Sequence, residues 1–282
     1  MISTATDIWK RSKRFLRIDE PICDRQRLGQ CPNTERKIMN EQFVRSAFLL
    51  GNDAIEKLNQ AKVILFGVGG VGSFCAEALA RIGIGAITLV DNDVVSVSNI
   101  NRQLIALHST VGRNKAEVMK ERILDINPEA NVTALPMFYL PENAEEIDLS
   151  AYDVIIDAID TVSAKIELVV RANKLNVPIL CAMGTGNKMH PEKLEITDIS
   201  KTQMCPLARV MRRELRARGI DHLRVVYSTE TPMPAHADYA NDGSVVPAGK
   251  RQVPGSLSFV PSSAGLLMAS EVVRILLENK KI

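Results

Sequence analysis

Three short stretches of the chain carry side chains suited to steering and neutralising phosphate groups. "DNDVVSVSNINRQ" supplies Asp91, Asp93, Asn99, Asn101, Arg102 and Gln103; "VGRNK" supplies Arg113 and Lys115; "DAID" supplies Asp157 and Asp160. A fourth stretch, "GVGGVG", sets Gly67, Gly69, Gly70 and Gly72 directly after the β-branched run "KVILF". Glycines there allow a tight turn and let backbone N–H groups approach a phosphate at the start of a helix, expected near Ser73. Asp91, nineteen residues beyond Gly72, stands where a carboxylate takes ribose hydroxyls.

By itself the glycine fingerprint suits NAD, FAD, ATP or S-adenosylmethionine about equally. The downstream residues separate them. A dinucleotide's two phosphates need few cations beyond a helix terminus, whereas a triphosphate carries about four charges and recruits Arg, Lys and a metal. Asp157 and Asp160, at the end of a strand, offer the oxygen ligands a hard cation such as Mg2+ needs. Polyphosphate plus magnesium uses the whole set; nicotinamide leaves most of it idle, and no acid–base pair of an oxidoreductase accompanies the fold.

These residues have to be delivered by regular elements, and the pattern supplies them. Strand-like runs "KVILF", "AITLVD", "NVTALP", "YDVIID" and "VPILCA" alternate with helical segments from about Lys62 to Ala182. One such segment is "RNKAEVMKERILDI", with apolar Ala116, Met119, Ile123 and Ile126 near helical spacing. That alternation predicts an α/β, doubly wound, mostly parallel sheet. From 183 to 282 the rhythm changes to a strand-rich annex: "KLEITDI", a helix "CPLARVMRRELRARG" stopped by Gly219, and "RVVYS". An irregular stretch, 229–255, holds four prolines and reads as a mobile loop or lid; the apolar helix "SAGLLMASEVVRILLEN" follows it. Antiparallel strands are expected in this second half, continuing the sheet.

Composition bounds the class. A chain of 282 residues that is 46% hydrophobic and 24% charged buries a sizeable core. The net charge of +2 is unevenly placed: residues 1–37 hold nine Lys/Arg against five Asp/Glu, leaving the remainder slightly acidic. Residues 1–40 read as a mobile N-terminal extension with neither a secretory core nor a transit-peptide composition. No apolar run approaches the ~18 residues that span a bilayer. Five cysteines (Cys23, Cys31, Cys75, Cys181 and Cys205), without a C-x-x-C pair, argue against a disulfide framework or structural zinc and for a cytoplasmic setting.

In combination, "GVGGVG…LVDND…NINRQ…VGRNK…DAID" resembles the adenylating superfamily of ubiquitin-activating (E1-like) enzymes and their bacterial sulfur-carrier activators, over roughly Phe43 to Val225. "EALARIGIGAITLVD", "KAEVM", "INPE", "IIDAID", "ITDISKT" and "PLARVMRRELRARGI" are similar to one branch, the tRNA threonylcarbamoyladenosine dehydratases. The resemblance implies that the glycine turn seats ATP, with Asp91 on its ribose. Arg102 and Lys115 would engage the phosphates, and Asp160 the magnesium. Arg45, in "VRSAFLLG", would reach into the neighbouring subunit's site of a homodimer. It also implies tRNA bearing N6-threonylcarbamoyladenosine as substrate and a sulfur-transfer or cysteine desulfurase system as protein partner. The alternative activity is adenylation of the C-terminal glycine of a small ubiquitin-like sulfur carrier, which the absence of cysteine from 229–255 disfavours.

A tRNA enzyme needs a cationic face. Arg209, Arg212, Arg213 and Arg216 follow i, i+3, i+4, i+7 spacing and would share one side of their helix, with Glu214 the only acid among them.

Overall fold

In the computed structural model, which describes residues 40–234, 236 and 254–278, the β-branched runs form β1 (Lys62–Phe66), β2 (Ala86–Val90), β3 (Asn131–Leu135), β4 (Val154–Asp157), β5 (Ile179–Ala182), β6 (Leu194–Asp198) and β7 (Arg224–Ser228). They make one sheet in the order β3-β2-β1-β4-β5-β7-β6. Every neighbouring pair is parallel except β6 and β7, so the expected mixed sheet is present with its antiparallel pair at one edge. The chain winds outward from β1 to β3, then restarts at β4 on the other side of β1. The carboxyl ends of β1 and β4 therefore diverge into a crevice, the usual ligand position of such sheets.

Among the described residues the helices are α1 (Val44–Leu50), α2 (Asn52–Gln60), α3 (Gly72–Ile82), α4 (Lys115–Ile126), α5 (Val162–Leu175), α6 (Pro206–Arg216) and α7 (Phe259–Glu278). The two-residue period of a strand decides which side chain meets which layer. From β1, Val63 and Leu65 enter a core with Leu79 of α3, Met119 of α4 and Met268 of α7. Ile64 and Phe66 point the other way, into a core with Leu168 of α5 and Met211 of α6. Both faces being covered explains why β1, β2, β4 and β5 read as near-continuous apolar runs.

Helix α7 corrects one expectation. Its 20 residues are long and apolar enough to cross a membrane, the one such helix among the described residues. More than half of it is buried, chiefly against α3. A Cβ on Gly265 would come within 2.3 Å of the Val71 carbonyl oxygen, so only glycine permits this close crossing. The hydropathy of α7 is that of a core helix.

The contact pattern divides the chain between Ile38 and Met39. The N-terminal extension up to residue 39, with Cys23 and Cys31, and most of the 229–255 loop (235 and 237–253) lie outside the described residues. Cys75, Cys181 and Cys205 are free and buried.

Candidate active site

A polar cleft of about 450 Å³ opens where β1 and β4 diverge. Gly67, Gly69, Gly70, Asp91, Asp93, Asn99, Arg102, Gln103, Lys115 and Asp160 all line it, drawn from the ends of three strands and from the start of α4. The glycine turn is built by necessity. Gly67 has φ of +88°, and a Cβ there would lie 2.7 Å from the Ala158 carbonyl oxygen, so the turn can sit flush on the end of β4 only as glycine. Gly72 was expected to contact the nucleotide and does not line the cleft. It is the first residue of α3, where a Cβ would fall 1.8 Å from the Gly67 carbonyl oxygen; it closes the turn from behind.

The carboxylate of Asp91 ties the turn to the next strand. It accepts the Val68 N–H at 2.6 Å through Oδ2 and the Asp93 N–H at 2.8 Å through Oδ1. Burial raises its pKa above the ordinary value, an effect these two N–H groups and nearby Lys115 oppose. Ser73 plays the same binding part at the helix start: its Oγ donates to the Gly69 carbonyl at 2.6 Å and accepts the Leu104 N–H at 3.2 Å. Asn99 is spent partly on local structure, since its side-chain oxygen caps the Ser96 N–H at 3.1 Å. Arg102 donates to the Ser98 carbonyl at 2.9 Å and to Asn101 Oδ1 at 2.8 Å, both exposed contacts. Lys115 is nearly buried and meets exposed Asp93 at 2.7 Å.

Asp160 is exposed at the cleft wall. Asp157 is not, and its expected place among cation ligands is overturned. It is the last residue of β4, fully buried, and its Oδ2 lies 2.8 Å from the equally buried Nζ of Lys165 on α5. Arg113, also expected at the site, is turned away onto Glu121. Arg45 lies on the exposed side of α1 and does not line the cleft of its own chain.

Sequence reasoning missed one wall. Met137, Phe138 and Tyr139 follow β3 into the cleft, with Phe138 exposed at its rim. Tyr139 packs edge-on to Phe66 at 4.8 Å, and burial pushes its hydroxyl up to about 12, so it remains protonated. "MFY" in a chain only 4% aromatic was the available signal. Thr185, Ser256 and Pro261 complete the lining, and no local motif announced them. Asn101 binds the Ser256 carbonyl at 3.0 Å, joining the far end of the chain to the cleft.

Helix α6 keeps part of its expected cationic face. Arg209, Arg213 and Arg216 are exposed, the last two beside Glu214 and Asp221. Arg212 turns inward, donating to the carbonyls of Ile199 at 3.0 Å and Thr202 at 2.9 Å, and so leaves that face. Cys205 caps the helix, its sulfur 3.5 Å from the Ala208 nitrogen.

Among the described residues no group of three or more His, Cys, Asp or Glu could enclose a metal ion. One exposed carboxylate in a cleft that also holds Arg102 and Lys115 fits Mg2+, which takes one or two carboxylates and completes its shell with water and phosphate oxygens.

Comparison with known proteins agrees with this fold. The ThiF family model matches residues 42–282. The chain is 45% identical over 249 residues to the tRNA threonylcarbamoyladenosine dehydratase of Bacillus subtilis, covering 86% of this chain and 98% of that protein. The crystal structure of the Escherichia coli tRNA N6-threonylcarbamoyladenosine dehydratase with AMP superposes with a TM-score of 0.76 at 35% identity, over 84% of this chain and 94% of that one. The complex of that enzyme with ATP gives 0.73 at 34%, with the same coverage. The family model and the Bacillus subtilis relative both extend over most of the chain, and the chain belongs to the ThiF family.

Proposed function

We propose that this protein is an ATP-dependent tRNA threonylcarbamoyladenosine dehydratase that adenylates the threonyl carboxylate of the modification and closes it to the cyclic form. The observation that carries the reading is the convergence of Arg102, Lys115 and Asp160 on the glycine-turn cleft. These are two cations and a carboxylate where a triphosphate would lie.

The chemistry follows from leaving groups. A carboxylate is a poor electrophile because it would have to expel oxide. Its attack on the α-phosphorus of ATP releases pyrophosphate and leaves an acyl-adenylate, from which AMP departs readily. A nucleophilic atom of the same threonylcarbamoyl group then attacks the activated carbonyl. It closes the ring and loses its proton while the original carboxylate oxygen leaves in AMP. The net change is loss of water with no redox step. In this reading the turn at Gly67, Gly69 and Gly70 takes the phosphates and Asp91 the ribose, with Asp93, Asn99 and Gln103 around them. Arg102 and Lys115 hold the phosphate charge that shifts during transfer, Lys115 by exchanging Asp93 for a phosphate oxygen. Catalysis is then mainly positioning and charge neutralisation. Asp160 would hold Mg2+, which when bound would neutralise part of the triphosphate charge.

Arg45 belongs in this scheme to the site of a second copy. It is flanked by Phe48 and Leu49, which are 83% and 85% exposed, and apolar surface of that kind marks an interface. The exposed arginines of α6 serve the tRNA backbone. A tRNA substrate and free thiols at Cys75, Cys181 and Cys205 fit a cytoplasmic enzyme, and a sulfur-transfer or cysteine desulfurase partner remains part of the reading.

ATP–pyrophosphate exchange tests it. Label should enter ATP with threonylcarbamoyl-modified tRNA and not with unmodified tRNA or without RNA. Exchange driven instead by a small carrier protein with a C-terminal glycine would replace this reading with sulfur-carrier activation.

A further inference from the structure

The best-buried charges among the described residues lie under the cleft. Lys165 and Asp157 have no solvent exposure, and their ends meet at 2.8 Å. The ammonium donates to the Ala182 carbonyl at 2.9 Å and to the Ile159 carbonyl at 3.2 Å, and its charge is paired with Asp157 Oδ2. Asp157 uses its other oxygen to accept the Ile159 N–H at 3.2 Å. The peptide groups on both sides of Ile159, the residue before Asp160, are thereby held by one ion pair. The same ammonium grips the end of β5, three residues before Thr185 at the cleft. Burial and the neighbouring carboxylate of Asp157 push the Cys181 thiol well up, so it stays neutral and adds no competing charge.

A buried ion pair is seldom worth more to stability than apolar side chains of the same volume. Stability alone therefore does not account for it, whereas two of its three backbone hydrogen bonds fall on the one short turn at Ile159. We infer that Lys165, through Asp157, is a positioning residue that fixes the Ile159 backbone so that the Asp160 carboxylate stands ready in the cleft. This rests on the proposed role of Asp160 toward metal–ATP and adds to it the device that aims the ligand. A preformed ligand loses less freedom when the ion arrives, so the effect belongs to metal affinity.

The test uses the full chain with Lys165→Met and with the double substitution Asp157→Asn/Lys165→Met. The single change strands a buried carboxylate and should lower Tm; the double change leaves no lone charge and should regain most of it. In the double variant, Mn2+ bound beside α,β-methylene ATP, followed by electron paramagnetic resonance, should weaken at least tenfold. Affinity for the nucleotide without metal should stay within twofold. A folded double variant with wild-type Mn2+ affinity overturns the inference, as does one that cannot fold, since the pair would then hold the sheet rather than one turn. Asp160→Asn separates the two readings. If it too leaves Mn2+ affinity unchanged, the metal role of Asp160 fails; if it abolishes binding while the double variant does not, only the positioning role fails.

Discussion

Asp160 and Asp157 are three residues apart and have opposite fates, which makes them the sharpest pair for a residue-scale prediction. Asp160 projects from the turn after β4 toward solvent, so Asp160→Ala removes no core contact. Adenylation should fall by at least about 10²-fold, the scale of losing one preorganised charge-stabilising group, with Tm unchanged. Wild-type exchange at saturating magnesium would remove Asp160 from the proposed site. The sequence places both acids at a strand end but says nothing of which is the last inward residue of β4 and which the first outward one. The error over Arg113 and Arg212 has the same origin: a long cation beside a site can equally turn onto a nearby acid or carbonyl. Lys165 was invisible because a lysine on an amphipathic helix ordinarily reads as surface, and only the tertiary contacts of α5 reveal it as core.

Between elements, Glu77 of α3 is the clearest joint, meeting Arg81 at 2.5 Å on its own helix and Arg122 of α4 at 2.7 Å. Burial alone would raise its pKa; the hydrogen bonds and charges of Arg122 and Arg81 outweigh that and bring it below the ordinary 4.5. A carboxylate so depressed stabilises the fold above its unfolded pKa, and the contribution is lost as pH falls through the lower folded value. Glu77→Gln should therefore cost about 1 kcal/mol near pH 7, after allowance for the exposed arginines. The gap between the two proteins should narrow as pH falls below the ordinary glutamate value of about 4.3. Urea melts at pH 7 and pH 3.5 would show it, and an unchanged gap at both pH values would mean packing, not charge. On α6, replacing Arg209, Arg213 and Arg216 by Ser should weaken tRNA binding and flatten its dependence on salt; unchanged affinity in a filter-binding titration would make them a solvated face. At this scale the sequence was most legible. The run "KVILF" is β1 residue for residue, and "RVVYS" is β7, because a sheet covered on both faces leaves a continuous β-branched signal. The aromatic wall after β3 was not legible, since it follows a strand without periodicity of its own.

For the whole molecule, the separation of Arg45 from its own cleft leads to a mixing experiment. Arg45→Ala and Asp160→Ala subunits, each inactive alone, should regain partial exchange activity when verified mixed dimers form, because one site in each pair is then intact. Verified mixed dimers without activity would place Arg45 outside the catalytic assembly. The E1-like fold was readable in advance from the alternation of strands and helices, yet the packing of α7 on α3 was not, because those segments are far apart in sequence. That packing has a consequence for how the protein is made. Ser256 and Pro261 line the nucleotide cleft, and the side chain of Pro261 lies 3.2 Å from where a Cβ on Gly70 would stand. The glycine turn leaves the ribosome nearly two hundred residues before this backing does. A nascent chain can thus assemble β1 and α3 early, but its ATP cleft is finished only when α7 emerges, so ribosome-bound intermediates stopped short of residue 254 should be unable to retain nucleotide.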